Sequence, residues 1–470
     1  MSSVVTEELI ARQSPEAQAI IRLLLAEIRE LKSQLLDVQS QLLKLTPQNS
    51  SLPPSSQHPH AKPIPPKSKS SRKRGGQPGH PRHQRVLIPS AECTEVIPLR
   101  PSVCSGCGER LRGSDPEPRR HQVWELPEIK PVVTEYQQHR LACPGCGKTT
   151  CASLPPGVPR GQSGPNLVAF TGLLMGHFRQ SKRRAALFLQ DLLKFPCCPA
   201  LTVKMQNQVA AALKSPYDEL QQELAKQPQV FMDESPTKQA NQKAWLWTAV
   251  TKLFAVFAIF SSRKGDALPK LLGDSFCGIV NCDRAKMYWQ AERLQWCWAH
   301  LKRDIQALID HPDRQVQRLG HDLMRQVKLM FQHWRAYQSG DIDWRAFRAL
   351  MNPIRETTND LLQRGAFSGN RRLVGMCQEL HNHREWLWTF VDHEGIEPTN
   401  NTAERALRPA VIYRKLSFGT QSESGSRFLD RILTVSETCR LQNRSIYDYL
   451  VTAVQAHFKQ QPIPSLLPCS

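Results

Sequence analysis

The chain has no run of about eighteen apolar residues, so no segment is long enough to cross a bilayer as a helix. Its start has no basic stretch followed by an apolar one, which sets aside a secretory leader. Acid is scarce relative to base: 42 Asp and Glu face 62 Lys and Arg, a formal charge of +20. That imbalance disfavours a neutral metabolite as the main partner and favours a polyanion. Nucleic acid leads, because the other common polyanion, a membrane surface, has nothing here to anchor in it. The expectation is a cytoplasmic protein that binds nucleic acid and no membrane. Cysteine is not scarce, at 14 in 470 residues. In a long chain without a leader, four of them in two Cys-x-x-Cys pairs point to a reducing compartment and a metal, not to disulfides. The length suits several domains.

After Ser14 and Pro15, apolar residues recur at Ala17, Ile21, Leu24, Ile28, Leu31, Leu35, Val38, Leu42 and Leu45. The alternation of four and three predicts a coiled coil over residues 14–46 that would pair two chains, or else an amphipathic helix on a globular domain. Thr46 before Pro47 ends that helix. Residues 47–88 are rich in Pro, Ser and Gly, and from His58 to Arg85 there is no acidic residue. Lys67, Lys69, Arg72, Lys73 and Arg74 give this arm the means to neutralise phosphates without reading sequence, unless it is only a solvated tail.

Residues 89–158 hold Cys104-Ser-Gly-Cys107-Gly and Cys143-Pro-Gly-Cys146-Gly, separated by a stretch that includes the β-prone Val132–Tyr136. In each, glycine after the second cysteine lets the backbone turn so that amides face sulfur. Cys104, Cys107, Cys143 and Cys146 would close a four-thiolate tetrahedron, which is structural zinc. A redox pair is the alternative. Residues 159–225 read as short helices broken near Ser181 and at Phe195–Pro199, a helix-turn-helix pattern in which Thr202 would cap a recognition helix bearing Lys204, Gln206 and Asn207, or an ordinary helical connector.

Beyond Gln229 the periodicity changes. Val230–Asp233 reads as a buried strand ending in an acid, Lys243–Thr251 and Leu253–Ser261 as two more, Arg263–Leu272 as a helix, Gly278–Asp283 as a strand again ending in an acid, and Leu294–Trp298 as a fifth strand running into a helix. This predicts an α/β domain with a mixed sheet over residues 226–460, then a tail, 461–470. Two strand-end aspartates can share a crevice, and phosphoryl transfer between nucleic-acid strands commonly uses two magnesium (or manganese) ions held by carboxylate oxygens. The third acid is Glu404, in the first turn of a helix that Asn400, Asn401 or Thr402 can cap. The competing readings stay open: turn-forming aspartates, Glu234 in place of Asp233, and a Glu404–Arg408 helix pair.

The quoted segments resemble transposases of the insertion sequence 66 family. The likeness rests on Asn49-Ser-Ser-Leu-Pro-Pro-Ser-Ser56, Arg74-Gly-Gly-Gln-Pro-Gly-His80, Met232-Asp-Glu-Ser-Pro236, Cys297-Trp-Ala-His-Leu-Lys-Arg303 and Asn400-Asn-Thr-Ala-Glu-Arg-Ala-Leu-Arg-Pro409. The resemblance implies a multi-domain α+β chain: coiled coil, zinc-ribbon-like module, helix-turn-helix-like domain, and a ribonuclease-H-like catalytic domain interrupted by a helical insertion over about residues 311–391. It implies that Asp233, Asp283 and Glu404 are the catalytic, magnesium-binding acids, and that Cys297 and His300 form a C-x-x-H signature supporting the site. Arg405, Arg408 and Lys286, near the acids in sequence, are candidates for holding phosphates. A bacterial enzyme is implied that binds the terminal inverted repeats of its mobile element, cuts, and joins the ends to target DNA, as an oligomer and alongside small accessory proteins. The sequence departs from the family's pattern after the second acid, with Asp283-Arg-Ala-Lys286. A stand-alone nuclease or junction resolvase, and an inactive DNA-binding relative, are the alternatives.

Overall fold

The computed structural model describes residues 7–42 and 85–467. Residues 43–46 of the expected coiled coil and most of the basic arm, including Lys67, Lys69, Arg72, Lys73 and Arg74, lie outside the described residues. The chain divides into two units, residues 58–132 and the remainder.

In the larger unit, α1 (Glu7–Ala11) precedes α2 (Pro15–Leu42), with Ser14 Oγ accepting the Ala17 N–H at 3.4 Å. Along α2, Leu24, Ile28, Leu31 and Leu35 are all exposed. The smaller unit is built from turns: a 3-10 turn at Ser90–Glu92, a bridge between Val103 and Arg110, and a Gln122 side chain that both donates to Ile88 C=O (2.8 Å) and accepts its N–H (3.0 Å). Val132–Tyr136 forms no strand. Residues rich in β-branched side chains still need a partner, and the pairing in this part of the chain is instead β1 (Arg140–Ala142) with β2 (Thr149–Cys151).

The helical region consists of α3 (Pro165–Gly176), α4 (Lys182–Leu193), α5 (Pro199–Ala212) and α6 (Lys214–Leu224). The break near Ser181 is real: its hydroxyl caps α4 by accepting the Arg184 N–H. Thr202 does not cap a helix. Proline occupies the first position of α5, as it favours, so the helix begins four residues earlier than expected, with Cys198 and not Thr202 at its N-cap, and Thr202 is buried with its hydroxyl on Pro199 C=O at 2.7 Å. Gln206 is buried too and is not free to read DNA.

A five-stranded sheet follows, β3 (Gln229–Gln239), β4 (Gln242–Val250), β5 (Ala255–Phe260), β6 (Ile279–Cys282) and β7 (Arg293–Trp296), in the order β5-β4-β3-β6-β7. The first three are antiparallel neighbours; β6 and β7 run parallel to β3. The expected mixed sheet is present, with two corrections. Strand β3 does not stop at Asp233 but continues six residues to its turn at Ala240–Asn241, because the whole of β4 is available to pair with it. The helix expected from Arg263 forms only as α7 (Ala267–Leu272).

Helix α8 (Trp298–Ile309) leads into the helices α9 (Arg314–Gln338), α10 (Trp344–Ala366), α11 (Arg371–Asn382) and α12 (Glu385–Asp392). They return to the sheet where Phe390 N–H donates to Gln295 Oε1 of β7 and Thr389 Oγ1 donates to Leu294 C=O. Then come α13 (Asn401–Ser417), α14 (Glu423–Leu441) and α15 (Ile446–Phe458). Helix α14 covers the edge strand β5. Its Thr434 and Thr438 hydroxyls accept the N–H groups of Phe257 (2.9 Å) and Ala255 (3.2 Å), and Arg427 donates to Ile259 C=O, so outward-facing backbone groups that would invite another strand are occupied. The fold is mixed α+β, and among the described residues no helix is long and apolar enough to cross a membrane.

Candidate active site

Strand β3 pairs in parallel with β6 so that Phe231 lies opposite Asn281. Two residues further along lie Asp233, still within β3, and Asp283, one residue past the end of β6. The third acid reaches them through Asn400. This buried side chain does not cap α13 as expected; its Nδ2 donates to Met232 C=O, next to Asp233, at 2.6 Å. Its backbone N–H donates to Cys297 Sγ (3.1 Å), and its C=O accepts the Glu404 N–H (3.2 Å). Cys297 N–H in turn donates to Cys282 C=O, next to Asp283. Asn281 Nδ2 donates to Glu397 C=O at 2.7 Å and Trp298 N–H to Pro398 C=O at 2.9 Å. Backbone beside each of the three acids is therefore tied to a single buried junction.

The electrostatics are those of carboxylates held together. Burial, then the charges of Glu234, Asp283 and Glu404, hold Asp233 well above the usual carboxylate range. Burial also raises Asp283, against the pull of the Ala285 N–H bonded to it at 2.8 Å. Glu404 is raised by burial and by Asp283, with Arg303 opposing at 3.6 Å. Buried carboxylates that raise one another favour a hard cation in general, but among the described residues the acidic, His and Cys ligand atoms that fall within 4.8 Å of one another are those of Cys297, His300 and Glu404, not those of all three acids. Glu234, the alternative first acid, is otherwise engaged: it accepts from Arg263 Nε (3.0 Å) and from the buried Tyr288 hydroxyl.

Cys297 and His300 lie beside Glu404, the three possible ligand atoms all within 4.8 Å of one another. A soft metal could use that trio, but burial pushes the Cys297 thiol up to about 11 and its sulfur already accepts the Asn400 N–H. Burial, then Arg303, push His300 down to about 3, so it is a neutral ring 3.5 Å from Glu404. Arg405 and Arg408 are exposed on α13, and Arg408 sits close enough to Glu404 to lower it. Lys286 lies over the Trp289 ring, 5.4 Å from its centre. Asn400, Arg303 and Tyr288 escaped the sequence reading. Asn400 sat in a quoted motif but looked like an ordinary cap.

The two cysteine knuckles have matching geometry, each within its own unit. Cys104 N–H donates to Glu109 C=O and Gly108 N–H to Cys104 C=O; Cys143 and Gly147 repeat the pattern with Lys148. Gly108 (φ 78) and Gly147 (φ 73) adopt the left-handed conformation that the turn requires. Backbone amides of Cys107 and Gly106 hold the Cys104 thiol below its ordinary value, and those of Cys146 and Gly145 do so for Cys143. Thiols lowered in this way are prepared to bind a metal.

Comparison with known proteins agrees with this division. Residues 101–147 match the zinc-finger binding domain of transposase IS66, which supports structural zinc, and residues 7–86 match a family of unknown function. Two uncharacterized proteins of Sinorhizobium fredii (strain NBRC 101917 / NGR234) are similar. One, y4qI, is 22% identical over 80% of this chain and 74% of its own length. The other, y4jO, is 28% identical over 38% of this chain and 52% of its own length. Residues 160–427, which carry the sheet, the helical region and all three acids, match the Transposase IS66 family, and the chain belongs to that family.

Proposed function

We propose that the chain is an Asp-Asp-Glu transposase that cuts the ends of its mobile element and joins them to target DNA. What supports the reading is the electrostatic proximity of Asp233, Asp283 and Glu404, each raised by burial, Asp233 also by the charges of Asp283 and Glu404, and Glu404 by that of Asp283, around a junction braced by Asn400. The sheet order, three antiparallel strands continued by two parallel ones, is the arrangement expected of a ribonuclease-H-like domain. In this reading α9 to α12 are its helical insertion.

Asp233, Asp283 and Glu404 would hold two magnesium ions, which supply activation of the attacking oxygen and stabilisation of the leaving one. Neutral His300, 3.5 Å away, and Arg303, 3.6 Å away, orient the Glu404 carboxylate. Arg408 faces solvent one helical turn beyond Glu404, where a phosphate can approach. Water opens the phosphodiester and leaves a 3′-hydroxyl; that oxygen then attacks a target phosphodiester, one P–O bond forming as another breaks.

The remaining modules supply binding. The lowered knuckle thiols hold zinc, the basic arm and helical region grip the terminal repeats, and the exposed apolar seam of α2 pairs with a second chain. The test is a strand-transfer assay with a labelled element end and plasmid target, in magnesium or EDTA, comparing the native chain with Asp283→Asn. Magnesium-dependent joining that is lost in the variant is expected. Cutting without joining would favour a nuclease, and binding without chemistry an inactive relative.

A further inference from the structure

Helix α13 leaves the acid site with two unlike faces. Ala403, Ala406, Leu407 and Ala410 are buried, whereas Arg405, Arg408, Ile412, Lys415 and Leu416, spaced by threes and fours along the other side, are exposed. The helix ends on Phe418, 79% exposed and with φ 58, in the left-handed region that crowds every side chain and that glycine usually fills at this position.

This tip is firmly mounted. Thr420 N–H donates to Lys238 C=O and Ala240 N–H to Thr420 C=O, both at 2.9 Å, bridging the tip to the β3–β4 turn. Ser426 Oγ, in the first turn of α14, donates to Gln239 Oε1 at the end of β3 at 2.7 Å. Gly419, φ 104, lies so close to Lys238 that a Cβ there would fall 2.3 Å from its carbonyl oxygen. A large apolar ring therefore stands in solvent, on a disfavoured backbone, at a fixed place. Packing among the described residues does not explain it, because there the ring has little to pack on.

We propose that Phe418 stacks against a base of DNA laid along α13, with Arg405 and Arg408 holding its phosphates. The proposal rests on the DNA-cleaving reading above. A basic stripe ending in an exposed aromatic has the two elements such a surface needs, charge for the backbone and a flat ring for a base. From Glu404 to Phe418 the helix advances about 20 Å. That places the stacked base roughly six base pairs from the phosphate being cut. Phenylalanine can wedge between base steps there and unstack them without reading their sequence.

The experiment uses the full chain and an element-end duplex carrying 2-aminopurine at single positions four to eight base pairs from the cut. Native protein is expected to brighten the probe near the sixth. Phe418→Gly should melt no lower than native, since glycine relieves the left-handed backbone, yet bind the duplex about tenfold more weakly with no brightening. Phe418→Trp should retain both. If Phe418→Gly binds and brightens as native does, the proposal is wrong and the DNA reading stands. A lowered melting temperature, or weakened self-association with unchanged DNA affinity, would instead make Phe418 a packing or protein-contact residue. If native protein neither binds nor cuts the duplex, the DNA reading falls with it.

Discussion

From Arg85 to Arg160 no residue is buried, whereas from Ser163 onward the chain closes over Trp247, Trp296 and Trp388, none of which touches solvent. The first stretch is organised by backbone turns at cysteine knuckles, the second by apolar burial. Metal coordination and the hydrophobic effect thus divide one polypeptide between them. A region without a core needs another source of folding free energy, and thiolate zinc supplies an apparent 10–16 kcal/mol in small domains. A region with such a core can instead afford to bury carboxylates together, because its packing holds them against their repulsion.

Zinc removal tests that division most severely. Chelation, or Cys143→Ser, should expose residues 85–160 to protease while leaving the main thermal transition in place; if the main transition fell as well, the contrast would dissolve. Asp283→Asn should do the reverse, lowering DNA cleavage by more than about 100-fold, beyond what outer residues of a metal site usually cost. DNA affinity and zinc content should not change. Asn400→Ala should lower cleavage about 10–100-fold and destabilise the core by about 1–2 kcal/mol, read by kinetics and melting together. A loss of stability with no loss of rate would reduce Asn400 to packing.

The mildest test concerns the core alone. Asp430 is buried in α14 with its carboxylate 3.1 Å from Arg427, and burial pushes it up to about 7. The folded carboxyl keeps its proton to about pH 7, whereas an unfolded aspartate releases it near pH 4. The native state therefore binds the extra proton between those values, so stability should fall as pH rises from about 4 to 7 and level off above. Melting curves of Asp430→Asn should lack that part of the slope, on the order of 4 kcal/mol.

Much of the C-terminal half was legible because its strands are short, apolar and punctuated, and because Asp283 and Glu404 sit where an element ends or begins. What escaped depended on contacts across the chain. Nothing local in Val230–Asp233 says that β3 will continue past its acid, since the reason is β4. Asn400 looked like a helix cap, and only the approach of Met232 shows that its amide is used elsewhere. Thr202 was misplaced by the ordinary competition between a hydroxyl cap and a proline start. The knuckles were plain from spacing alone, since their geometry is set within five residues.

The long helical detour between α8 and α13 also sets a clock. Asp233 and Asp283 leave the ribosome early, but Asn400 and Glu404 follow about 120 residues after Asp283, on the order of ten seconds at ordinary elongation rates. Until then the junction that joins Met232, Cys297 and Glu404 has no keystone. A nascent or truncated chain ending anywhere in the detour carries the cysteine knuckles, the helical region and two acids but not the third. On the proposed reading, translation itself thereby delays the capacity to break DNA until Glu404 has been made.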